Sequence, residues 1–262
     1  MTENKNSCKS IENIKHYWNN RPCNLNHSKL EKGTREYFDE VEAKKHFVEP
    51  HILKFADFSN CNNLKVLEIG CGLGTAAVNF IRNGAKYTGI ELSDESLKLT
   101  KQRFDIYNLS GELYNINAEE DISFLGLNSF DLIYSFGVIH HSPTPEKIVE
   151  NVYKLLKPNG KFKLMLYAEN SWKKMLIDKE QEQYEAQNGC PLAYTYTNNQ
   201  VYKLLENFHN INIFQTHIFP YKIDDYKNNI YIKEDWFEAM PENMFKILEE
   251  KLGWHLCITC NK

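Results

Sequence analysis

Residues 66–75 read VLEIGCGLGT. A short apolar run, Val66 to Ile69, enters a turn with glycine at 70, 72 and 74, and AAVNFIRNG continues as a helical segment closed by Gly84. In a strand, glycine turn and helix in this order, main chain can approach a ligand closely while helix N–H groups face it. The glycines alone are weak evidence, because any tight strand-to-helix turn calls for them. Their informative partner is Glu91, which ends the next apolar run, YTGIE, about 20 residues further on. A carboxylate there can accept both hydroxyls of a ribose.

Two nucleotide ligands compete for such a turn. The dinucleotide fingerprint spaces its glycines G-x-G-x-x-G, whereas this chain has G-x-G-x-G. Glu68, two residues before Gly70, adds a second carboxylate. It would repel a diphosphate and suits S-adenosylmethionine, which carries an ammonium and a sulfonium.

Working outward, Ser93 or Asp94 caps an amphipathic helix, ESLKLTKQRFDIYNL. ELYNI and FDLIYSF read as strands three and four, PEKIVENVYKLLKPNG as a helix ending at its Pro-Asn-Gly, and KFKLMLY as strand five. Short apolar strands alternating with helices predict an α/β fold, a Rossmann-like sheet covered by helices on both faces. NNQVYKLLENF is a further helix, and INIFQTHIF and WHLCIT supply the last two strands. The spacing divides the chain into an N-terminal helical arm or lid (1–60), a nucleotide-binding core (61–168) and a completing segment (169–262). The last carries cap insertions at 169–197 and 220–250. Within the arm, Tyr37, Val41, Lys44, Phe47 and Val48 share a predicted helix face.

The chain has 262 residues, enough for one α/β domain with elaborations, and its 42% hydrophobic and 25% charged content is ordinary for a soluble protein. A formal net charge of -4 gives no attraction to nucleic acid or an anionic membrane. No apolar run approaches the ~18 residues of a membrane span, and MTENKNSCKS has no signal-like apolar region. Seven cysteines, an odd number without framework spacing, favour a reducing, cytoplasmic setting. Cys257 and Cys260 form a CxxC inside a predicted strand, where an odd separation sends the thiols to opposite faces.

VLEIGCGLGT, GIELS, NAEE, FDLIYSFGVIHH and LLKPNGKFKLMLY, in this order, resemble the class I S-adenosylmethionine-dependent methyltransferases, tightly over about residues 64–167. The resemblance implies a seven-stranded sheet of order 3-2-1-4-5-7-6 with the last strand antiparallel. It implies that Glu68, Gly70, Cys71, Gly72, Gly74 and Thr75 meet the methionine part of the donor, Glu91 the ribose and Leu92 the adenine. Asn117, Ala118 and Glu119 fit the motif that meets adenine, with Asn117 standing where Asp is usual. Ser135 and Phe136 end the fourth strand beside the donor. The chain lacks the Asn/Asp-Pro-Pro-aromatic motif of amino-methylating DNA enzymes, the acidic ligand set of catechol-type enzymes and the paired glutamates of arginine methyltransferases. A small-molecule acceptor methylated at N or O remains as the reading. An RNA or protein methyltransferase and a catalytically silent donor-binding partner subunit are the alternatives.

His140 and His141 follow the fourth strand and border the expected site of transfer. Neighbouring side chains diverge in extended chain, and no metal-ligand spacing lies near them, so no metal is expected. Either histidine can accept a proton from, or orient, the nucleophile; the plainer reading is that both pack the cofactor loop. Tyr17, Trp18, Tyr37 and Phe38 in the arm are expected to form a lid, and Tyr167, Trp172, Tyr194, Tyr196 and Tyr221 a wall of the acceptor pocket.

Overall fold

A computed structural model describes residues 10–181, 183 and 189–262. Residues 182 and 184–188 of the first cap insertion therefore lie outside the described residues. The arm forms α1 (Ile11–Asn20), α2 (Arg35–Val48) and α3 (His51–Ala56). The core runs β1 (Lys65–Ile69), α4 (Thr75–Arg82), β2 (Lys86–Glu91), α5 (Asp94–Tyr107), β3 (Glu112–Asn115), β4 (Phe130–Phe136), α6 (Pro145–Leu155) and β5 (Leu156–Ala168). There follow α7 (Trp172–Asp178), β6 (Thr195–Tyr196), α8 (Asn198–Leu204) and β7 (His209–Thr216), then α9 (Ile223–Lys227), α10 (Asp235–Glu238), α11 (Glu242–Leu252) and β8 (His255–Asn261).

The sheet order is β3-β2-β1-β4-β5-β8-β7, and the two-residue β6 pairs with the end of β5. Without that short strand the order is the expected 3-2-1-4-5-7-6. β8 runs antiparallel to both β5 and β7. The pleat sends alternate side chains into two cores. Leu67, Ile69 and Ile133 pack on one face; Val66, Leu132 and Tyr134 pack on the other. Cys257 and Cys260 divide in the same way, one into each core, as their odd spacing requires.

Two segments depart from the sequence reading. Lys157–Gly160 does not end a helix. β5 begins at Leu156, which pairs with Phe130; Asn159 takes a φ of 63°, and the register shifts between Phe130 and Leu132. Pro-Asn-Gly is thus a kink near the start of β5, at a shift of register, where a missing N–H and a left-handed residue are tolerated. In α2, Tyr37, Val41, Lys44 and Val48 are buried, but Phe47 is half exposed and stacks on Tyr221 instead. At 100° per residue Phe47 falls well off the stripe that the other four share.

Ser93 caps α5, its hydroxyl accepting from the Ser96 N–H, and Pro145 opens α6 at a position whose N–H needs no partner. The arm is fastened to the core by Arg103 of α5, which is fully buried. Its guanidinium donates to Glu42 of α2 at 2.6 Å, to the carbonyls of Leu73 and Phe38, and to the Thr75 hydroxyl. One side chain therefore joins the arm, α5 and the glycine turn. Among the described residues no helix is long and apolar enough to cross a membrane.

Candidate active site

Where β1, β2, β4 and β5 reach their C-terminal ends, a cavity of about 830 Å³ opens beneath the arm. Open α/β sheets place ligands at this edge. The glycine turn forms its floor. Gly70 has φ +76°, and a Cβ there would stand 2.3 Å from Val138 Cγ2; Gly72 has φ +54° with no neighbour within 4 Å on that side. The turn is therefore packed beneath Gly70 and clear above Gly72, so main chain can meet a ligand directly.

Glu91 holds the turn in place. Its Oε2 accepts from Gly72 N and its Oε1 from Ser93 N, both at 2.8 Å. Burial raises its pKa, and these backbone N–H groups pull it back down. A carboxylate offers about four lone-pair positions, so two stay available for a ligand's hydroxyls. Thr100 Oγ1 donates to Gly72 O at 2.7 Å from behind. Cys71, Thr75 and Leu92 also line the cavity. Gly74 caps α4 in a left-handed conformation and packs against Thr100 rather than lining the cavity.

Glu68 lies deeper. Burial pushes its carboxyl up to about 8, and the Tyr87 hydroxyl donates to it at 2.6 Å. Asn117 and Ala118 line the wall beyond β3. The Asn117 side chain accepts from Glu119 N, which shapes that loop. Glu119 also lines the wall, but both its oxygens are taken, by the hydroxyls of Ser142 and Thr144 at 2.6 Å each. Its visible work is to tie the loop after β3 to the segment following the two histidines.

The expected aromatic lid divides. Tyr17 and Trp18 of α1 line the cavity. Tyr37 and Phe38 do not: both are fully buried beside Leu73, and the Tyr37 hydroxyl donates to Leu25 O. They pack the arm onto the core. Of the expected acceptor wall, Tyr167 lines the cavity, whereas Trp172, Tyr194, Tyr196 and Tyr221 do not. Tyr196 belongs to the sheet core, Trp172 packs on Phe237, and Tyr194 donates its N–H to His140 O. Phe136 faces the cavity, but Ser135 does not, because adjacent residues of a strand point opposite ways.

The same division separates the histidines, which lie in one turn of 3-10 helix. His140 is fully buried with its ring centroid 3.7 Å from that of Tyr167, and it does not line the cavity. His141 does line it. Its Nδ1–H donates to Leu192 O at 2.7 Å, which leaves the lone pair on Nε2, and no described residue bonds that atom. Burial lowers the His141 pKa to about 4, so the ring is neutral at physiological pH.

Sequence spacing offered no metal-ligand set, yet the fold brings together in the same cavity three side chains that could hold an ion. Glu49, at the end of α2, meets His217, just past β7, and His255, which opens β8; all three are buried. His51 adjoins them, its Nε2 3.0 Å from His255 Nδ1. These residues were missed because ligand-spacing rules read only local sequence, and here more than 160 residues separate the two halves. The available signal was weak: histidines at three element boundaries, in EPHI, THIF and GWHL.

Residues 67–162 match a family model described as a methyltransferase domain. Ubiquinone biosynthesis O-methyltransferases are similar: that of Neisseria meningitidis is 30% identical over 117 residues, covering 44% of this chain and 49% of the relative. That of Psychrobacter cryohalolentis is 35% identical over 97 residues, 37% of this chain and 38% of the relative. The chain thus spans less than half the length of these curated relatives. Among solved structures, magnesium protoporphyrin IX methyltransferase of Synechocystis with bound S-adenosylhomocysteine superposes with a TM-score of 0.59 at 13% identity, covering 96% of this chain and 99% of that one. A Thermotoga maritima protein, described as a SAM-dependent methyltransferase and possible histamine N-methyltransferase, gives 0.58 at 17% identity, covering 95% and 99%. Residues 67–162 thus form a methyltransferase domain, and the chain has the fold of the class I S-adenosylmethionine-dependent methyltransferases.

Proposed function

We propose that this chain binds S-adenosylmethionine in the cavity and moves its methyl group to an oxygen or nitrogen of a small molecule. The observation that carries the reading is the clasp of Glu91 on the Gly72 and Ser93 N–H groups. It sits at the floor of a cavity that continues past Phe136 into an aromatic chamber. The donor set fits the cofactor: carboxylates for an ammonium and a ribose, and no lysine or arginine on the turn for a diphosphate. The cavity volume lies within the small-molecule range of about 300–1,000 Å³, which favours such an acceptor over RNA or protein. The curated relatives are named as O-methyltransferases, which supports oxygen.

S-adenosylmethionine, when bound, supplies a methyl group on a positive sulfur that departs without acid catalysis. The chain's task is alignment, which can contribute about 7–11 kcal/mol. Tyr17 and Trp18 close the cavity from above. Beyond one buried residue, α1 is strapped down by exposed contacts such as Lys15 to Asp94 at 2.9 Å. An exposed pair of this kind contributes about 0–1 kcal/mol, so α1 can lift to admit ligands. His141 Nε2 orients the acceptor by accepting its O–H or N–H bond. A ring lowered to about 4 holds a proton poorly, so the proton leaves to solvent.

Calorimetric titration with S-adenosylhomocysteine, followed by labelled-methyl transfer into metabolite fractions, tests the reading; no binding would end it. Among variants, His141→Ala is expected to lower kcat/KM about 10–100-fold, the worth of one buried hydrogen bond. His140→Ala should lower Tm while sparing kcat. Equal losses of turnover in the two would remove the orienting role.

Glu68 makes donor binding pH-dependent. Its carboxyl is protonated below about 8, and a cationic ligand favours the ionised form. Affinity should therefore rise with pH up to that value and then level off, with proton release seen as a buffer-dependent binding enthalpy. Stability runs the other way. The raised pKa contributes stability fully below the carboxyl's ordinary value of 4.5, and this is lost as pH climbs through about 8. Glu68→Gln should flatten both dependences, and an unchanged slope would remove Glu68 from the cation's surroundings.

A further inference from the structure

The chamber beyond Phe136 holds a group of side chains that donor binding does not use. Glu49, His217 and His255 each offer one ligand atom, and all these atoms lie within 4.8 Å of one another. They are 6%, 8% and 3% exposed, and all three line the cavity. From these contacts we infer that Glu49, His217 and His255 form a binding site for a divalent first-row transition metal ion, which takes the acceptor's hydroxyl oxygen as a further ligand. The role of the ion in transfer rests on the methyltransferase reading; the metal site itself does not.

Distances support ligation over simple hydrogen bonding. His255 Nε2 lies 3.7 Å from Glu49 Oε1, too far for a good hydrogen bond. Two donors on one tetrahedral ion, each bonded at about 2.0–2.1 Å, stand about 3.3 Å apart, so a small closure suffices. The other face of His255 is arranged as a ligating imidazole requires. With Nε2 turned to an ion, Nδ1–H donates to His51 Nε2 at 3.0 Å, fixing tautomer and ring orientation.

The backbone is also committed. His217 adopts φ +75°, a left-handed conformation that costs a non-glycine residue energy and that is concentrated at functional sites. Its carbonyl accepts from Trp254 N at 2.7 Å, locking it beside His255. Lys45 pairs with Glu49, but a carboxylate retains further lone pairs for an ion.

Ligand chemistry selects the ion and the acceptor. Two imidazoles and one carboxylate suit zinc or ferrous iron rather than magnesium or calcium, which prefer oxygen throughout. Such a set leaves coordination positions open. Phe136, at the end of β4, has its ring centroid 5.4 Å from that of His255 and 6.1 Å from that of His51, so the open positions adjoin the transfer region. With one carboxylate and two neutral imidazoles the ion keeps a net positive charge, which Lys45 augments. It therefore favours an anionic ligand. A hydroxyl bound there gives its proton to solvent, and the oxygen keeps the electron pair that forms the bond to the methyl carbon as the carbon–sulfur bond breaks. The sulfur retains that second pair.

The test uses the full chain, stripped with a chelator and reloaded separately with Zn(II) and Co(II). Metal content after gel filtration is read by mass spectrometry, and Co(II) coordination by its visible absorption. One ion per chain is expected, with tetrahedral-type cobalt bands. His255→Ala and Glu49→Gln should lose the ion after gel filtration, while S-adenosylhomocysteine affinity stays near the wild-type value. His51→Ala should weaken metal affinity about 10–100-fold. Should His255→Ala unfold, His217→Gln serves in its place, with circular dichroism as the check. Wild-type chain that retains neither metal, or variants that retain as much as wild type, would overturn the site. Metal binding without S-adenosylhomocysteine binding would uphold the site and remove the methyltransferase reading instead.

Discussion

Glu91→Ala is expected to weaken S-adenosylhomocysteine binding by two orders of magnitude or more. The variant loses an acceptor for the ligand's hydroxyls and the partner of two backbone N–H groups in one step. Gly72 N and Ser93 N both donate to this carboxylate at 2.8 Å, so its removal frees the turn from the strand beside it. Hydrogen bonds to a charged group contribute about 1.5–3 kcal/mol each, and losing two ligand bonds corresponds to about 3–6 kcal/mol, above a hundredfold in affinity. Glu91→Gln separates the contributions. Its amide keeps one accepting oxygen, which retains one backbone N–H, and its affinity should fall between wild type and alanine. Calorimetry of both variants, with Tm recorded alongside, decides the matter. Wild-type affinity in Glu91→Ala would show that the carboxylate serves the turn alone.

Legibility of this chain followed sequence distance. The stretch from Val66 to Glu91 could be read because strand, turn and acidic partner lie within one βαβ unit, where local pattern and tertiary role coincide. The strand order came from the family resemblance and not from the pattern of elements, and the sheet has that order once the two-residue β6 is set aside. Pro-Asn-Gly at 158–160 misled because the same residues end helices and kink strands, and only pairing with Phe130 decides between them. The aromatic residues of the arm and late segments were poorly resolved by sequence. Tyr17 and Tyr37 look alike there, yet one lines the cavity and the other seals the core. The two adjacent histidines drew attention as a pair, but only His141 reaches the cavity. The group of Glu49, His51, His217 and His255 could not be seen, because the arm and the last two strands meet only in the folded chain.

Arg103 shows how that meeting is stabilised and how its loss should register. The guanidinium is fully buried and joined to Glu42, the Thr75 hydroxyl and the carbonyls of Leu73 and Phe38. Arg103→Met removes the charge and strands Glu42, although Arg82 still reaches it from the surface at 3.1 Å. Breaking a buried pair from one side costs about 3–5 kcal/mol. For a chain of this size that corresponds to a fall in Tm of roughly 6–20 °C. The double variant Arg103→Met, Glu42→Leu should recover much of the loss, because apolar replacement of both partners is often near neutral. Function should not recover in step. Leu73 and Thr75 belong to the glycine turn, and neither methionine nor leucine can donate to them, so S-adenosylhomocysteine affinity should stay reduced in the double variant. Full recovery of affinity together with stability would mean that the arm needs only to be packed against the core. Recovery of stability alone would show that Arg103 shapes the floor of the cavity as well as holding the arm above it.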